Sequence, residues 1–220
     1  MKLKWLGHAS WKLNAGSKVI YIDPYRGEYD EKADIILASH AHNDHCDPNK
    51  INQIYKEGTS IIAPPGCAKA IGELKIDGDV SAIWRSLKPG EKEDFDGVVV
   101  EAVEAYNVKR FRSPGKPFHP KGLGVGYLIH AEGKTIYHVG DSDFIDEMKQ
   151  VKDVDILLIP SGGTYTMDNE DAAEATIAIN PKVAMPMHIW DTNPGEFKKK
   201  VESGSDVNVI LMQPGDTYEI

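Results

Sequence analysis

Six consecutive residues, His40-Ala41-His42-Asn43-Asp44-His45, constrain this chain more than any other stretch of it. Four of the six carry side chains that bind divalent metal, a density that a plain connecting loop has no use for. An apolar run, Ile35-Ile36-Leu37-Ala38, leads into them, and Asp47-Pro48 follows. Asp is a good N-cap and Pro suits the first helical position, so the segment reads as strand, liganding loop, helix start. A ligand cluster at the end of a buried strand is where an α/β protein usually keeps its chemistry.

The flanking sequence supplies a scaffold for that loop. Short strands are expected over residues 3–5, 10–13 and 18–22, a β-meander with its turn at Asn14-Ala15-Gly16-Ser17 and its stop at Asp23-Pro24. A buried strand over 35–38 precedes a helix over 49–55, where Ile51, Ile54 and Tyr55 fall at helical spacing. A strand over 61–63 and a helix over 67–74 follow, and then a strand over 98–105. Strands over 122–130 and 134–139 flank Ala131-Glu132-Gly133 as a hairpin. A short helix is expected over 142–149, a central strand over 155–159 and a helix over 170–179 that stops at Asn180-Pro181. A strand over 182–185, a helix over 194–202 and a buried strand over 207–211 come next, and 216–220 closes a sheet edge. The order has a two-fold rhythm, with halves of approximately 1–110 and 111–220 making up one domain. Strands from two halves with helices outside imply an α/β (α+β) architecture, two sheets face to face under a helical cover.

Composition narrows the setting. The 220 residues, 41% hydrophobic and 27% charged, can bury a core without covalent staples. Cys46 and Cys67 are the two cysteines and form no CxxC pair, which fits a reduced compartment. The start of the chain lacks the apolar stretch of a signal peptide, and no segment reaches bilayer length. The cytoplasm is therefore the expected location, with no membrane partner. A net charge of -9 opposes general binding of nucleic acid. A homo-oligomer is compatible with everything in the sequence.

Three apolar runs end in a candidate ligand. Residues 35–38 reach His40, Ile136-Tyr137-His138-Val139-Gly140 reaches Asp141, and Val183-Ala184-Met185-Pro186-Met187 reaches His188. If these strands are neighbours, their carboxyl ends converge. One ion takes about four ligands, so six protein ligands imply two ions. In an extended loop His40 and His42 point the same way and suit one ion. Asp44 and His45 serve a second, which His188 completes, and Asp141 has two oxygens with which to bridge both. Imidazole with carboxylate suits zinc first, with manganese or iron as alternatives.

These residues together resemble the metallo-β-lactamase superfamily: His40-x-His42-x-Asp44-His45, Asp141 within Val139-Gly140-Asp141-Ser142, and a late His188. Trp5-Leu6-Gly7-His8-Ala9 and Ile22-Asp23-Pro24 match as well. The short length and Gly7-His8-Ala9 make the chain most similar to the stand-alone UlaG-like branch, the UPF0173-type metal-dependent hydrolases. The resemblance spans essentially the whole chain. It implies a four-layer αβ/βα sandwich with a dinuclear site along one edge of the sheets, and it brings His8 near that site. The superfamily usually supplies a third histidine to the first metal after the strand matching 98–105. Here Ala105-Tyr106-Asn107 stands in that place, and His119 is the residue able to replace it, as ligand or as substrate contact.

From Ala105 to Ala131 there is no acidic residue, while Lys109, Arg110, Arg112, Lys116 and Lys121 all fall within the stretch. A basic flap beside a dication site suggests a small anionic substrate. Among the remaining candidates, His130 and His138 lie inside strand patterns and read as structural, and Cys46 reads as a small buried side chain. Asp23 reads as a carboxylate that orients a histidine of the metal loop from behind. Gly162-Gly163-Thr164-Tyr165 follows a strand and reads either as a turn or as a source of backbone N–H groups or the Tyr165 hydroxyl for substrate. The leading expectation is a hydrolase that uses a metal-activated water on an ester, lactone or phosphodiester, with Asp44 handling the proton and His119 at the catalytic centre. Two alternatives use the same scaffold. One is a di-iron redox protein, against which His42 argues because, by the resemblance, those members favour an acidic residue there. The other is a non-catalytic module that grips RNA or another anion.

Overall fold

Side-chain alternation along the strands sorts the apolar residues of this protein into three separate cores. In the computed structural model, which describes residues 1–75 and 83–220, Ile35 and Leu37 of strand β4 (Ile35–Leu37) enter one apolar cluster and Ile36 enters another. Strand β13 (Ile156–Pro160) behaves the same way. Ile156 and Leu158 join the first cluster, while Leu157 and Ile159 join a third. A strand buried on both faces must do this, because successive side chains point to opposite sides.

The first cluster lies between two seven-stranded sheets. The first sheet runs β16 (Thr217–Glu219), β1 (Lys2–Gly7), β2 (Ser10–Ala15), β3 (Lys18–Ile22), β4, β5 (Ser60–Ile62), β6 (Trp84–Arg85). The second runs β15 (Asn208–Val209), β14 (Val183–Met187), β13, β12 (Lys134–His138), β11 (Gly124–Ala131), β8 (Val99–Ala105), β7 (Lys92–Asp94). Helices α1 (Pro48–Ile54) and α2 (Ala68–Gly72) cover the outside of the first sheet through Ile51, Ile54 and Ile71. Helices α3 (Asn169–Ile179) and α4 (Pro194–Gly204) cover the second through Ala172, Ala175, Phe197 and Val201. The result is the expected four-layer αβ/βα sandwich. The sheets change over between β6 and β7, earlier than residue 110, and β16 returns to the edge of the first sheet beside β1.

Local chemistry accounts for the element ends. Asp47 caps α1 by accepting the Asn49 N–H at 2.8 Å, and Pro48 opens the helix. Asn180 stops α3 in the left-handed region, which Asn tolerates. Glu132 and Gly133 both take positive φ between β11 and β12, as a two-residue hairpin turn requires. Strands β3 to β6 are mutually parallel, and so are β12 to β15, so the carboxyl ends of each set share one edge.

Three expectations need correction. The helix over 142–149 is a short 3-10 segment, Asp146–Gln150. Its intended first turn is committed elsewhere: the Ser142 hydroxyl accepts the Tyr106 N–H, and the Asp143 carboxylate takes the N–H groups of Val108, Lys109 and Arg110 at 2.8, 2.6 and 3.0 Å. The buried strand over 207–211 is limited to β15, and Leu211 is 40% exposed. The basic flap is built around a hairpin, β9 (Phe111–Ser113) with β10 (Lys116–Pro117). Most of its charge is already neutralised. Lys109 pairs with Asp171, and Lys121 with Glu104 and Glu147. Arg110 lies 3.1 Å from Asp143 and 2.8 Å from Asp168 and also pairs with Asp171. Lys116 stands exposed on β10, which leaves Arg112 as the cation turned to a cleft.

The Arg110 cluster ties the flap to the start of α3. Burial works against ionisation of Asp171, but Lys109 and Arg110 outweigh it and hold the carboxyl below its ordinary value. Arg110→Met leaves buried Asp143 and Asp171 short of positive charge and should cost about 3 kcal/mol in urea unfolding at pH 7. The Asp171 contribution is present above the ordinary carboxylate value of about 3.9 and is lost as pH falls through the lower folded value. The gap between parent and variant should therefore shrink below about pH 4.

Candidate metal centre

The carboxyl ends of β4, β12 and β14 open onto one edge, and the loops leaving them carry the ligand-type residues. The loop after β4 is held by a single buried acid. Asp23, at the end of β3, accepts the Ser39 N–H at 2.6 Å, the Ser39 hydroxyl at 2.7 Å and the His45 Nδ1–H at 2.7 Å. Because Ser39 Oγ spends its proton on Asp23, it accepts from His40 Nδ1 at 3.0 Å. These bonds turn Nε2 of both His40 and His45 toward the edge, and by engaging Nδ1 they leave Nε2 as the nitrogen able to face a cation.

Strand β11 of the second sheet clasps this loop. Val125 N–H donates to Ser39 O at 2.9 Å, and the Tyr127 hydroxyl donates to Ala38 O at 2.9 Å. A Cβ on Gly124 would lie 2.7 Å from the His40 Cβ, so only glycine lets the strand approach this closely.

Two sets of side chains result. Ring nitrogens of His40, His42 and His119 lie within 4.8 Å of one another, and so do donor atoms of His8, Asp44, His45 and His188. His40 Nε2 and His42 Nδ1 are 2.9 Å apart. Asp141 lies between the sets. Its Oδ2 is 3.2 Å from His119 Nε2 and 3.4 Å from His188 Nε2, and its Oδ1 is 3.5 Å from His45 Nε2. Asp44 Oδ2 is 3.0 Å from His8 Nε2, 3.7 Å from His45 Nε2 and 3.9 Å from His188 Nε2. The six residues read as ligands in the sequence are thus neighbours, joined by His119 and His8.

Asn107 explains the position of His119. Its Oδ1 accepts both the His119 N–H, at 2.8 Å, and the ring Nδ1–H, at 2.9 Å. The residue standing where a third histidine is expected does not reach the centre itself. It grips that histidine from twelve residues away and fixes its tautomer. The sequence shows no sign of this grip, since an Asn followed by a distant His has no periodicity. His138 is structural, donating Nε2–H to Ala9 O at 3.0 Å, and Cys46 is buried in the core under α1.

The electrostatics favour bound cations. Burial pushes His40, His42 and His119 below the ordinary imidazole value and brings His188 down to about 4, so these rings are neutral and free to ligate at pH 7. Burial also disfavours charge on Asp141, but His188 and His45 outweigh it and keep the carboxylate ionised. Burial likewise opposes ionisation of Asp44, and His8 with His45 overcomes it. Among the described residues, no Lys or Arg lies within 4 Å of Asp23, Asp44 or Asp141; each meets histidines alone. Among the described residues, the buried Nε2 atoms of His45, His119 and His188 and Oδ1 of Asp141 have no hydrogen-bond partner. Unpartnered donor atoms aimed at uncompensated carboxylates are what divalent metal satisfies. His45 shows the same need, because against burial Asp141 and Asp23 raise its affinity for a proton.

Two clefts border the centre. One, of about 240 Å³, is lined by His42, Asp44, Asp141 and His188 with Arg112, Phe118, Tyr165 and Trp190 over them. The other, of about 590 Å³, begins at His8 and Asp44 on the opposite side. Trp190 borders both and gave no signal in the sequence beyond following His188.

A family model described as a beta-lactamase superfamily domain matches residues 2–188. A UPF0173 metal-dependent hydrolase of Pyrococcus abyssi is 34% identical, covering all of both chains. A crystal structure of a Parabacteroides distasonis protein superposes with a TM-score of 0.83 at 34% identity, over 95% of this chain and 91% of that one. A metallo-hydrolase of Ignicoccus hospitalis gives 0.79 at 27% identity, over 100% and 98%.

Asn107→Ala should unfix the His119 tautomer. Metal affinity at the His40–His42–His119 set should fall about 10–100-fold in competition with a chromophoric chelator, and the Asp23-held set should change far less. Two equally weakened sites would contradict this division.

Proposed function

This chain belongs to the UPF0173 metal-dependent hydrolases of the metallo-β-lactamase superfamily, and on that footing we propose that it hydrolyses an anionic ester, lactone or phosphodiester with two metal ions, zinc in first place and manganese or iron as alternatives. The single observation that carries this reading is the convergence of unpartnered, buried Nε2 atoms on carboxylates that no Lys or Arg among the described residues neutralises. His40, His42 and His119 would hold one ion, and Asp44, His45 and His188 the other, with Asp141 shared. Divalent ions so held supply a water of pKa lowered from about 15.7 toward 7 and polarise the scissile carbonyl or phosphoryl oxygen.

The chain's own residues do the rest. Asp44 is the carboxylate of the pair that meets solvent, its side chain 29% exposed against 4% for Asp141. It lines both clefts, so it is placed to hold the attacking water and take its proton. His8, 3.0 Å away, holds the Asp44 carboxylate in position. His119 serves as a ligand held by Asn107 and borders the substrate cleft. Arg112 lies over the Phe118 ring at 5.6 Å and faces that cleft with no carboxylate within 4 Å among the described residues, which suits it to an anionic group on the substrate. Trp190 and Tyr165, with ring centroids 5.9 Å apart, give the cleft an aromatic wall.

The test is direct. Purified protein should contain up to two divalent ions per chain, and chelation should abolish hydrolysis of nitrophenyl esters or phosphodiesters, with zinc or manganese restoring it. Asp44→Asn should lower kcat about 10²–10⁴-fold with the fold intact. Arg112→Gln should raise KM for a phosphodiester more than for a neutral ester. Turnover that survives complete removal of metal would overturn the proposal.

A further inference from the structure

The larger cleft is chemically unlike the one that carries Arg112. Its floor and walls are Trp5, Leu6, Pro186, Ile189, Trp190, Leu211 and Met212, an apolar trough of about 590 Å³ that starts at His8 and Asp44. Ligand pockets of such volume are predominantly apolar with a few placed polar groups. Two of its wall residues, Trp190 and Leu211, are large apolar side chains left 52% and 40% exposed. The trough is therefore wet apolar surface opening directly onto the carboxylate that meets the attacking water.

Its polar group is Arg26, on the loop after β3. The chain has four arginines. Arg110 is bound to three aspartates and Arg85 to Glu93. The other two have no carboxylate within 4 Å among the described residues, in a chain of 34 acidic residues. They are Arg112, over the Phe118 ring in the small cleft, and Arg26, over the Tyr25 ring at 4.7 Å in the trough. Stacking on an aromatic ring keeps a guanidinium extended and its N–H fork available to a ligand. The two arginines left without a carboxylate thus flank the metal-ligand cluster, one in each cleft.

We propose that the trough seats an apolar chain of the hydrolysed substrate, with Arg26 on its wall receiving a second anionic group of that substrate. This rests on the hydrolase reading and names its substrate class: an amphiphilic anion whose scissile bond sits at Asp44 and whose chain runs past Trp190 and Leu211. The trough is continuous with the centre through His8, Asp44 and Trp190, which favours substrate over a second copy of the protein as the occupant.

Binding decides the matter independently of turnover. The zinc-loaded protein is titrated calorimetrically with butanoate, hexanoate and octanoate, and with the dicarboxylates adipate and suberate. Any direct carboxylate contact with metal is common to the series and cancels in the differences. Affinity should rise about fourfold per methylene, the value of one buried CH2, and so about fifteenfold at each two-carbon step of the series. Suberate should bind about fivefold more tightly than octanoate, and Arg26→Gln should erase that preference. Leu211→Asn should flatten the length dependence while leaving the dicarboxylate preference. A flat length series, or a suberate preference indifferent to Arg26→Gln, overturns the proposal. So does sedimentation showing a dimer that Leu211→Asn dissociates without any change in ligand affinity. Nitrophenyl acetate and octanoate separate the two readings: acetate turnover without a length effect keeps the hydrolase and rejects the trough, and length-dependent binding without any turnover does the reverse.

Discussion

The candidate centre depends on one buried carboxylate that stands behind the ligand-type residues rather than among them. Asp23 is fully buried and takes three donors from the loop after β4: a backbone N–H, a hydroxyl and an imidazole N–H. Without it, Ser39 would have no reason to present its oxygen to His40, and His45 would be free to adopt either tautomer. A histidine ligates only through a nitrogen that carries no proton, so the proton on the far nitrogen must be parked somewhere. Asp23 parks it for His45 directly and for His40 through Ser39. Asn107 does the same for His119. Three of the imidazoles are thus aimed by acceptors that lie behind them.

The aiming is costly to the backbone. Eight residues other than glycine have positive φ among those described, and four of them are at this edge: His8, Asp23, His188 and Trp190. Each such residue costs about 1–3 kcal/mol and persists only where its surroundings over-determine it. The surroundings do so here. His188 N–H is bonded to His8 O, which also accepts the Trp5 indole N–H, so the two strained loops from different sheets hold each other. Close approach adds a second demand. A Cβ on Gly162 would strike His188 O and Trp190, and one on Gly124 would strike Ser39 O and His40. Gly124 lets the two sheets meet closely at the His40 loop, and Gly162 lets the loops after β13 and β14 of the second sheet pack against each other.

Much of this was readable in the residues before any coordinates. The strand bounds of β3, the Asp47-Pro48 start of α1, the Asn180 stop of α3 and the Glu132-Gly133 hairpin are each set by nearest neighbours in sequence, which is why local pattern finds them. The convergence of His40, Asp141 and His188 was readable in part: three apolar runs ended in ligand-type residues, but the strands are not neighbours. Strand β4 lies in the first sheet and β13 separates β12 from β14 in the second, and the face-to-face stacking of the sheets brings their carboxyl ends to one edge. Short pieces were missed. Strands β6, β7, β9 and β10 have two or three residues apiece and exist because a partner edge pairs with them, not because of their own composition. Ser142 and Asp143 carry helix-start chemistry that the fold diverts to the chain at 106–110. The basic flap misled in the same way, since charge counted along a sequence says nothing of the aspartates that fold against Lys109 and Arg110.

That last point decides how the surface around the centre recognises charge. The protein is acidic overall, and its histidine-rich edge holds three carboxylates with no permanent cation beside them. Electrostatically this attracts divalent cations and repels anions until the carboxylates are compensated. Once metal compensates the carboxylates, the field at the mouth is set by the nearest fixed charges, and of the flap's five cations Arg112 is the one that lines a cleft there. Lysine would be a weaker choice at that position: its ammonium is a point charge without the planar fork that matches a carboxylate or phosphate, and it stacks less well on an aromatic ring. In an acidic chain, the two arginines without a carboxylate among the described residues line one cleft each, and both clefts border the candidate centre.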